Sequence, residues 1–322
     1  MLTLFFMVIM ISAVTLAVFF SINNKIKIIY FFLFMVVFQN ITVILFCKEL
    51  PPLYNTIFSG TKELMLYIAL IFTPVKRGTI KISRGEYISA ACLIIYFIMV
   101  AKNFFMTTAA MNSAILSLRY MLVPILCIYV GRNIRIKPNE YKKLLRHIVL
   151  CSLVLAVFGV IEMVFLGDSF WTAIGYSDYA VNLKGNASYS LFNGVTINFY
   201  TWDLFGIPIR RLVSITADPL ASSYLIYLGA LILLTGCVSL KTNRGFLSSK
   251  GVILAILFIA SLLSLSKAVF VLIGLTVLLC AYFYRWLPKP LLIAATFVFT
   301  VLFFLMLGTY IENSDKIGRA HV

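Results

Sequence analysis

The chain has 322 residues, of which 62% are hydrophobic and 12% charged, and its formal net charge is +16, from 27 Lys and Arg against 11 Asp and Glu. A soluble domain of this size needs more charge than that to clothe its surface. The basic residues fall in short links between apolar runs, which is the pattern of membrane orientation and not of a nucleic-acid-binding face.

In chain order, apolar runs predict membrane-crossing helices at 2–20, 28–46, 54–72, 87–101, 114–130, 148–166, 219–238, 251–265, 268–284 and 291–307. About twenty helical residues rising 1.5 Å each cross a hydrocarbon core of about 30 Å. The expected fold class is therefore all-α, a polytopic transmembrane helix bundle of about ten helices forming one membrane domain over 1–315. The first run has no basic segment before it and no small-residue cleavage site, so it reads as a retained helix and not as a signal peptide. The third run is interrupted by Lys62 and Glu63. Cys47, Cys92, Cys127, Cys151, Cys237 and Cys280 lie in or beside apolar runs with no C-x-x-C spacing and read as small buried hydrophobes. His147 and His321 form no zinc-ligand pattern, and there is no phosphate-binding G-x-x-x-x-G-K-[ST] loop, so neither a metal nor a cofactor is expected.

The odd-numbered links carry about twice as many Lys and Arg as the even ones, which assigns the odd links to the cytoplasm and the N-terminus to the outside. One link is long, residues 167–218, between the sixth and seventh helices and on the outer side. It carries Asp168, Asp178 and Asp203 and is rich in aromatic residues, among them Trp171, Tyr200 and Trp202. Disordered segments are poor in aromatics, so the link predicts an ordered, sugar-contacting cap; the alternative is an interfacial aromatic belt. The last residues, 316–322, break the style of the chain and read as a non-native tail, with the natural protein expected to continue beyond Asp315.

Four basic residues violate the orientation bias: Arg119, Arg210, Arg211 and Lys267. Any one of them alone can snorkel to lipid headgroups. Arg119 sits inside an apolar run, where a guanidinium is costly unless it faces a partner or water, and Pro124 one turn on predicts a kink beside it. Lys267 follows Ser264 and Ser266 in a turn with almost no loop, low at the outer interface. Arg210 and Arg211 close the long link, and Asp218 before Pro219 is an N-cap followed by an N1 proline. The next helix then turns its positive end outward beside two arginines, a place for phosphate. Together these residues predict an outward-facing cationic site under an aromatic cap. That combination suits a polyprenyl-pyrophosphate-linked glycan.

These segments carry a resemblance. Arg211-Leu-Val-Ser-Ile-Thr-Ala-Asp-Pro219 followed by Leu-Ala-Ser-Ser-Tyr, Leu263-Ser-Leu-Ser-Lys-Ala-Val, and Ser117-Leu-Arg-Tyr-Met-Leu-Val-Pro124 running to Gly131-Arg132 are similar to the O-antigen polymerase and ligase superfamily of bacterial envelope biosynthesis, over roughly residues 112–307. Lys267 departs from the family's usual arginine, keeping charge but losing bidentate geometry, and a second basic outer loop is absent. The resemblance implies a multi-pass protein of the bacterial cytoplasmic (inner) membrane that performs metal-independent glycosyl transfer on its outer face. The product would be O-antigen, capsular or exopolysaccharide. An undecaprenyl-pyrophosphate-linked glycan would be the substrate, and membrane lipids, a chain-length regulator and a flippase are the partners expected. Arg211, Arg119 and Lys267, with Arg210 beside them, would hold the departing pyrophosphate. Asp218, Asp203 and Glu162 are the candidates for the carboxylate that accepts the acceptor's proton, Glu162 being alternatively a structural partner of Arg119. An O-antigen ligase and a transporter or flippase of lipid-linked sugars are the competing readings.

Overall fold

Two helix starts in this protein, at Pro138 and Pro219, are set by capping chemistry. The computed structural model describes residues 15–20, 25–47, 60–72, 136–183, 191–201, 207–236 and 249–283, with isolated positions at 12, 22, 94, 98, 123, 126–128, 131, 134, 288, 290, 291, 293, 294, 297 and 298. Most of the predicted first, fourth, fifth and tenth spans, and the tail 316–322, lie outside the described residues. Among the described residues the chain is mostly helical, and two helices, Ile26–Phe46 and Pro138–Ala173, are long and apolar enough to cross a membrane. Only 33% of the apolar window of each is buried within the protein. Three shorter apolar helices are also present, Pro219–Leu234, Lys250–Leu263 and Lys267–Tyr282.

The chain divides into two compact units, the first Met1–Arg146 with Trp171–Gly194, the second His147–Phe170 with Val195–Val322. The long link contributes residues to both units. In the first unit, α1 (Lys25–Cys47) packs on α2 (Thr61–Phe72) around Ile28, Leu66, Ala69 and Ile134. Glu63, one of the two residues that interrupt the third apolar run, is buried, as is Thr61.

Hydropathy placed the sixth helix at 148–166, whereas α3 spans Pro138–Ile161. Its start is set by Pro138 at N1 and by Glu140, whose Oε2 accepts the Lys137 backbone N–H at 3.1 Å, half of a capping box. Lys142, Lys143 and Arg146 thus ride on helix and not in a link. A five-residue π-turn, Glu162–Leu166, follows. Gly167 then breaks the helical path at φ 63°, ψ −158°, a region open essentially only to glycine. Two short helices come next, α4 (Gly167–Ala173) and α5 (Tyr176–Asp178). In the first unit, Trp171 and Tyr176 meet edge to face at 5.7 Å between ring centroids, and Tyr176 and Tyr179 are likewise 5.7 Å apart.

Short strands β1 (Leu191–Phe192), β2 (Val195–Thr196), β3 (Tyr200–Thr201) and β4 (Ile209–Arg210) follow, β3 and β4 forming an antiparallel pair with Tyr200 opposite Arg210 and Thr201 opposite Ile209. Within the second unit, α6 (Pro219–Leu234) packs against α7 (Ser249–Leu263) and α8 (Lys267–Phe283). Small residues bring α3 and α6 together: the Ser152 hydroxyl donates to Leu225 O at 2.7 Å, and a Cβ on Gly229 would lie 2.4 Å from Ser152 Cβ. α6 ends at Gly236, φ 71°, whose N–H reaches Leu233 O.

Candidate functional site

The site lies in the second unit and is organised by the segment 211–218. Leu212, Val213, Ser214, Ile215, Thr216 and Ala217 are all buried, which is unusual for a connection, because a buried loop must satisfy its own backbone groups. It does so with side chains. Ser214 Oγ donates to Leu155 O at 2.6 Å, Ser222 Oγ donates to Val213 O, and Thr216 Oγ1 donates to Asp218 O at 3.0 Å and contacts the Ser222 hydroxyl. Ser214 and Ala217 hold positive φ, 61° and 53°, at some steric cost to residues bearing a Cβ. Gly159 of α3 lies so close that an added Cβ would sit 2.8 Å from Leu212 Cγ.

Asp218 caps α6 as its sequence predicts. It is extended, its Oδ1 accepts the Leu220 N–H at 3.0 Å, and Pro219 follows.

Arg210 and Arg211 leave β4 in opposite directions, as consecutive residues of an extended chain must. Arg211 turns toward the α7–α8 turn. Its Nε donates to Ser264 O at 2.9 Å and its NH1 to Asn198 O at 3.3 Å, while its backbone N–H donates to Phe199 O at 2.8 Å. The next residue continues the attachment, Leu212 N–H donating to Leu263 O at 3.0 Å. These carbonyls fix the guanidinium without bringing formal charge to it. The turn itself is tight: Leu265 has φ 48°, Ser264 and Ser266 are buried, and Lys267 opens α8, with Phe270 N–H returning to Ser266 O. Arg211 is thus tied to a turn whose Ser264 stands three residues before Lys267.

The two helices that start here run in the same direction. The chain leading into α6 meets the end of α7 at Leu212 and Leu263, just before α8 begins, and about two turns in, the Tyr227 hydroxyl of α6 donates to Leu272 O of α8 at 3.0 Å and contacts the Thr276 hydroxyl. Both therefore present their partial positive ends at the same end as Arg211 and Lys267.

Arg210 takes the other side. Its NH2 pairs with Glu162 Oε1 and its NH1 with Asp168 Oδ1, and Tyr200 donates its phenolic hydrogen to Asp168 Oδ2. Glu162 is completely buried, and the Arg210 and Asp168 side chains are 14% and 15% exposed. In an uninterrupted α-helix, residues six apart point about 120° away from one another. Glu162 and Asp168 converge on one guanidinium because the π-turn and the break at Gly167 intervene. Single π-turns of this kind are frequent at functional sites.

The predicted site residues thus separate. Arg211, Asp218 and Lys267 all lie on the 211–218 segment or at the turn to which it is tied. Arg210 and Glu162 pair with each other, and Arg210 pairs with Asp168 as well. Trp171, expected to contact sugar, is fully buried and presents no ring to solvent. Tyr200 is engaged with Asp168. Arg119, Trp202 and Asp203 lie outside the described residues. Asp168 was not singled out for the site; its signal was a carboxylate directly after a glycine at the end of an apolar run. No protein-family model, curated protein or solved structure matches the chain.

Proposed function

We propose that the chain is a multi-pass bacterial inner-membrane glycosyltransferase of about ten helices that polymerises polyprenyl-pyrophosphate-linked repeat units on the outer face of the membrane. The observation that carries this reading is the tie between Arg211 and Ser264 O, which holds one cation at the turn from which another, Lys267, opens α8. Two helix N-termini face the same end, and a diphosphate is the leaving group such an array suits. Three strained non-glycine residues, Ser214, Ala217 and Leu265, hold the segment and the turn, and strain of this kind gathers where geometry must be preset.

In the proposed reaction an acceptor sugar hydroxyl attacks the anomeric carbon of the lipid-linked glycan. The new glycosidic C–O bond forms as the bond to the diphosphate oxygen breaks. The bonding electrons leave with polyprenyl diphosphate, whose growing charge Arg211 and Lys267 stabilise. The hydroxyl proton passes to a carboxylate. Asp218 and Asp203 are the candidates for it, since Glu162 is enclosed against Arg210. Arg119 is proposed to complete the cationic set.

The test is complementation of a strain lacking the gene. Wild-type protein restores long glycan, and Arg211→Ala leaves single repeat units at an unchanged level of protein in the membrane. Glycan of normal length from Arg211→Ala refutes the assignment. A deletion strain with no glycan attached at all identifies a ligase instead, and repeat units trapped at the cytoplasmic face identify a flippase.

A further inference from the structure

We propose that Arg210 is a positioning residue, a latch that holds β4 so that Arg211 reaches the α7–α8 turn, and not itself a ligand of the diphosphate. The functional part of this inference rests on the proposed reading of the site; the structural part does not.

Three observations carry it. First, both terminal nitrogens of Arg210 are occupied by carboxylates, and one of these, Glu162, is completely buried. A planar guanidinium bridging two carboxylates is oriented in two directions at once, and its remaining Nε–H is buried away from an incoming anion. Release from Glu162 and Asp168 would be needed to free its terminal nitrogens for a diphosphate. Second, the carboxylates are themselves placed by costly local structure, the π-turn and the Gly167 break, with the Tyr200 hydroxyl fixing Asp168. Third, Tyr200 stands opposite Arg210 in the β3–β4 pair. The strand is therefore held on one side by ladder bonds and on the other by the ion cluster. The next residue, pointing the opposite way, is Arg211.

Sign separates this proposal from simple electrostatics. If Glu162 and Asp168 were only nearby negative charges, neutralising them would strengthen anion binding. If they aim Arg211 through Arg210, neutralising them weakens it. The experiment uses the full chain, purified in detergent, with inorganic pyrophosphate as the probe. Wild type, Arg210→Gln, Glu162→Gln, Asp168→Asn and the double variant Arg210→Gln/Glu162→Gln are compared for pyrophosphate affinity and for thermal unfolding midpoint.

The latch predicts roughly tenfold weaker binding in each single variant, and a double variant no worse than the weaker single, because both remove one coupled unit. Tighter binding in Glu162→Gln or Asp168→Asn overturns the proposal, as does full additivity in the double variant. If the wild-type protein does not bind pyrophosphate, the diphosphate reading of the site fails, and the unfolding midpoints still test the latch. Non-additive losses there support it, and additive ones overturn it. Should Arg210→Gln fail to accumulate, Arg210→Lys serves in its place: it keeps the charge, lacks the planar fork that meets the two carboxylates in fixed directions, and is expected to bind several-fold more weakly than wild type.

Discussion

Replacing Gly159 with alanine adds one methyl group to the middle of α3, and two effects of opposite sign compete. Alanine is the better helix former by about 0.5–1 kcal/mol. The new Cβ would meet Leu212 Cδ2 at 2.5 Å, Cγ at 2.8 Å and Cδ1 at 3.1 Å, and Leu212 is completely buried, with its N–H committed to Leu263 O. The leucine cannot swing its end aside, because the contact reaches its branch carbon, so the 211–218 segment or α3 must shift. Overpacking of this kind costs about 1–3 kcal/mol. The clash wins by roughly 1–2 kcal/mol, a fall of a few degrees in unfolding midpoint for a chain of this length. Gly131→Ala is the control, since among the described residues nothing lies within 4 Å of a Cβ there. The same substitution should be neutral or slightly stabilising at 131 and destabilising at 159. The assay is thermal unfolding in detergent of wild type, both single variants, Leu212→Ala and Gly159→Ala/Leu212→Ala. The last should lose less than the sum of its two parts, because the shortened side chain makes room. A Gly159→Ala protein as stable as Gly131→Ala would refute the packing argument.

Other expectations follow from the same geometry. Asp218→Ala should cost about 0.5–2 kcal/mol through loss of the cap, whereas Asp218→Asn should keep the cap and the stability; loss of glycan polymerisation in the stable Asn variant would identify Asp218 as the proton acceptor. Gly167→Ala meets no atom of the described residues, so its effect there is one of backbone strain, about 1–3 kcal/mol, and should appear as a lowered unfolding midpoint. Lys267→Arg should support polymerisation and Lys267→Glu should abolish it; equal glycan lengths from both would reduce Lys267 to a headgroup anchor.

The sequence told most where a signal is local. Asp218 followed by Pro219 announced the α6 start. The apolar runs behind α7 and α8 were placed within two residues, because the tight turn at Ser264–Ser266 separates them. The start of α3 was misplaced because hydropathy reports which residues prefer lipid, while Pro138 and Glu140 decide where a helix begins. The sequence grouped Arg211 with Lys267 only through their shared breach of the orientation bias, and the carbonyl partners of Arg211 could not be read. The Arg210 cluster was illegible for a physical reason. Glu162 and Asp168 share a partner only through a π-turn, and no periodic reading anticipates an extra residue in a helical turn. Aromatic richness in 167–218 likewise does not distinguish a ring that stacks on a ligand from one that fills a core, and Trp171 proved to be the second kind.

The concealment of the 211–218 segment bears on how such a protein can be re-engineered. A connection lying on the surface can be exchanged between homologues without regard to its surroundings. This one is keyed into α3 through Leu155 and Gly159 and into α6 through Ser222, and its course depends on backbone angles most residues avoid. Grafting a foreign stretch here would require transplanting the matching faces of both helices as a single cassette, and a library randomising these positions alone would return mostly chains that never assemble.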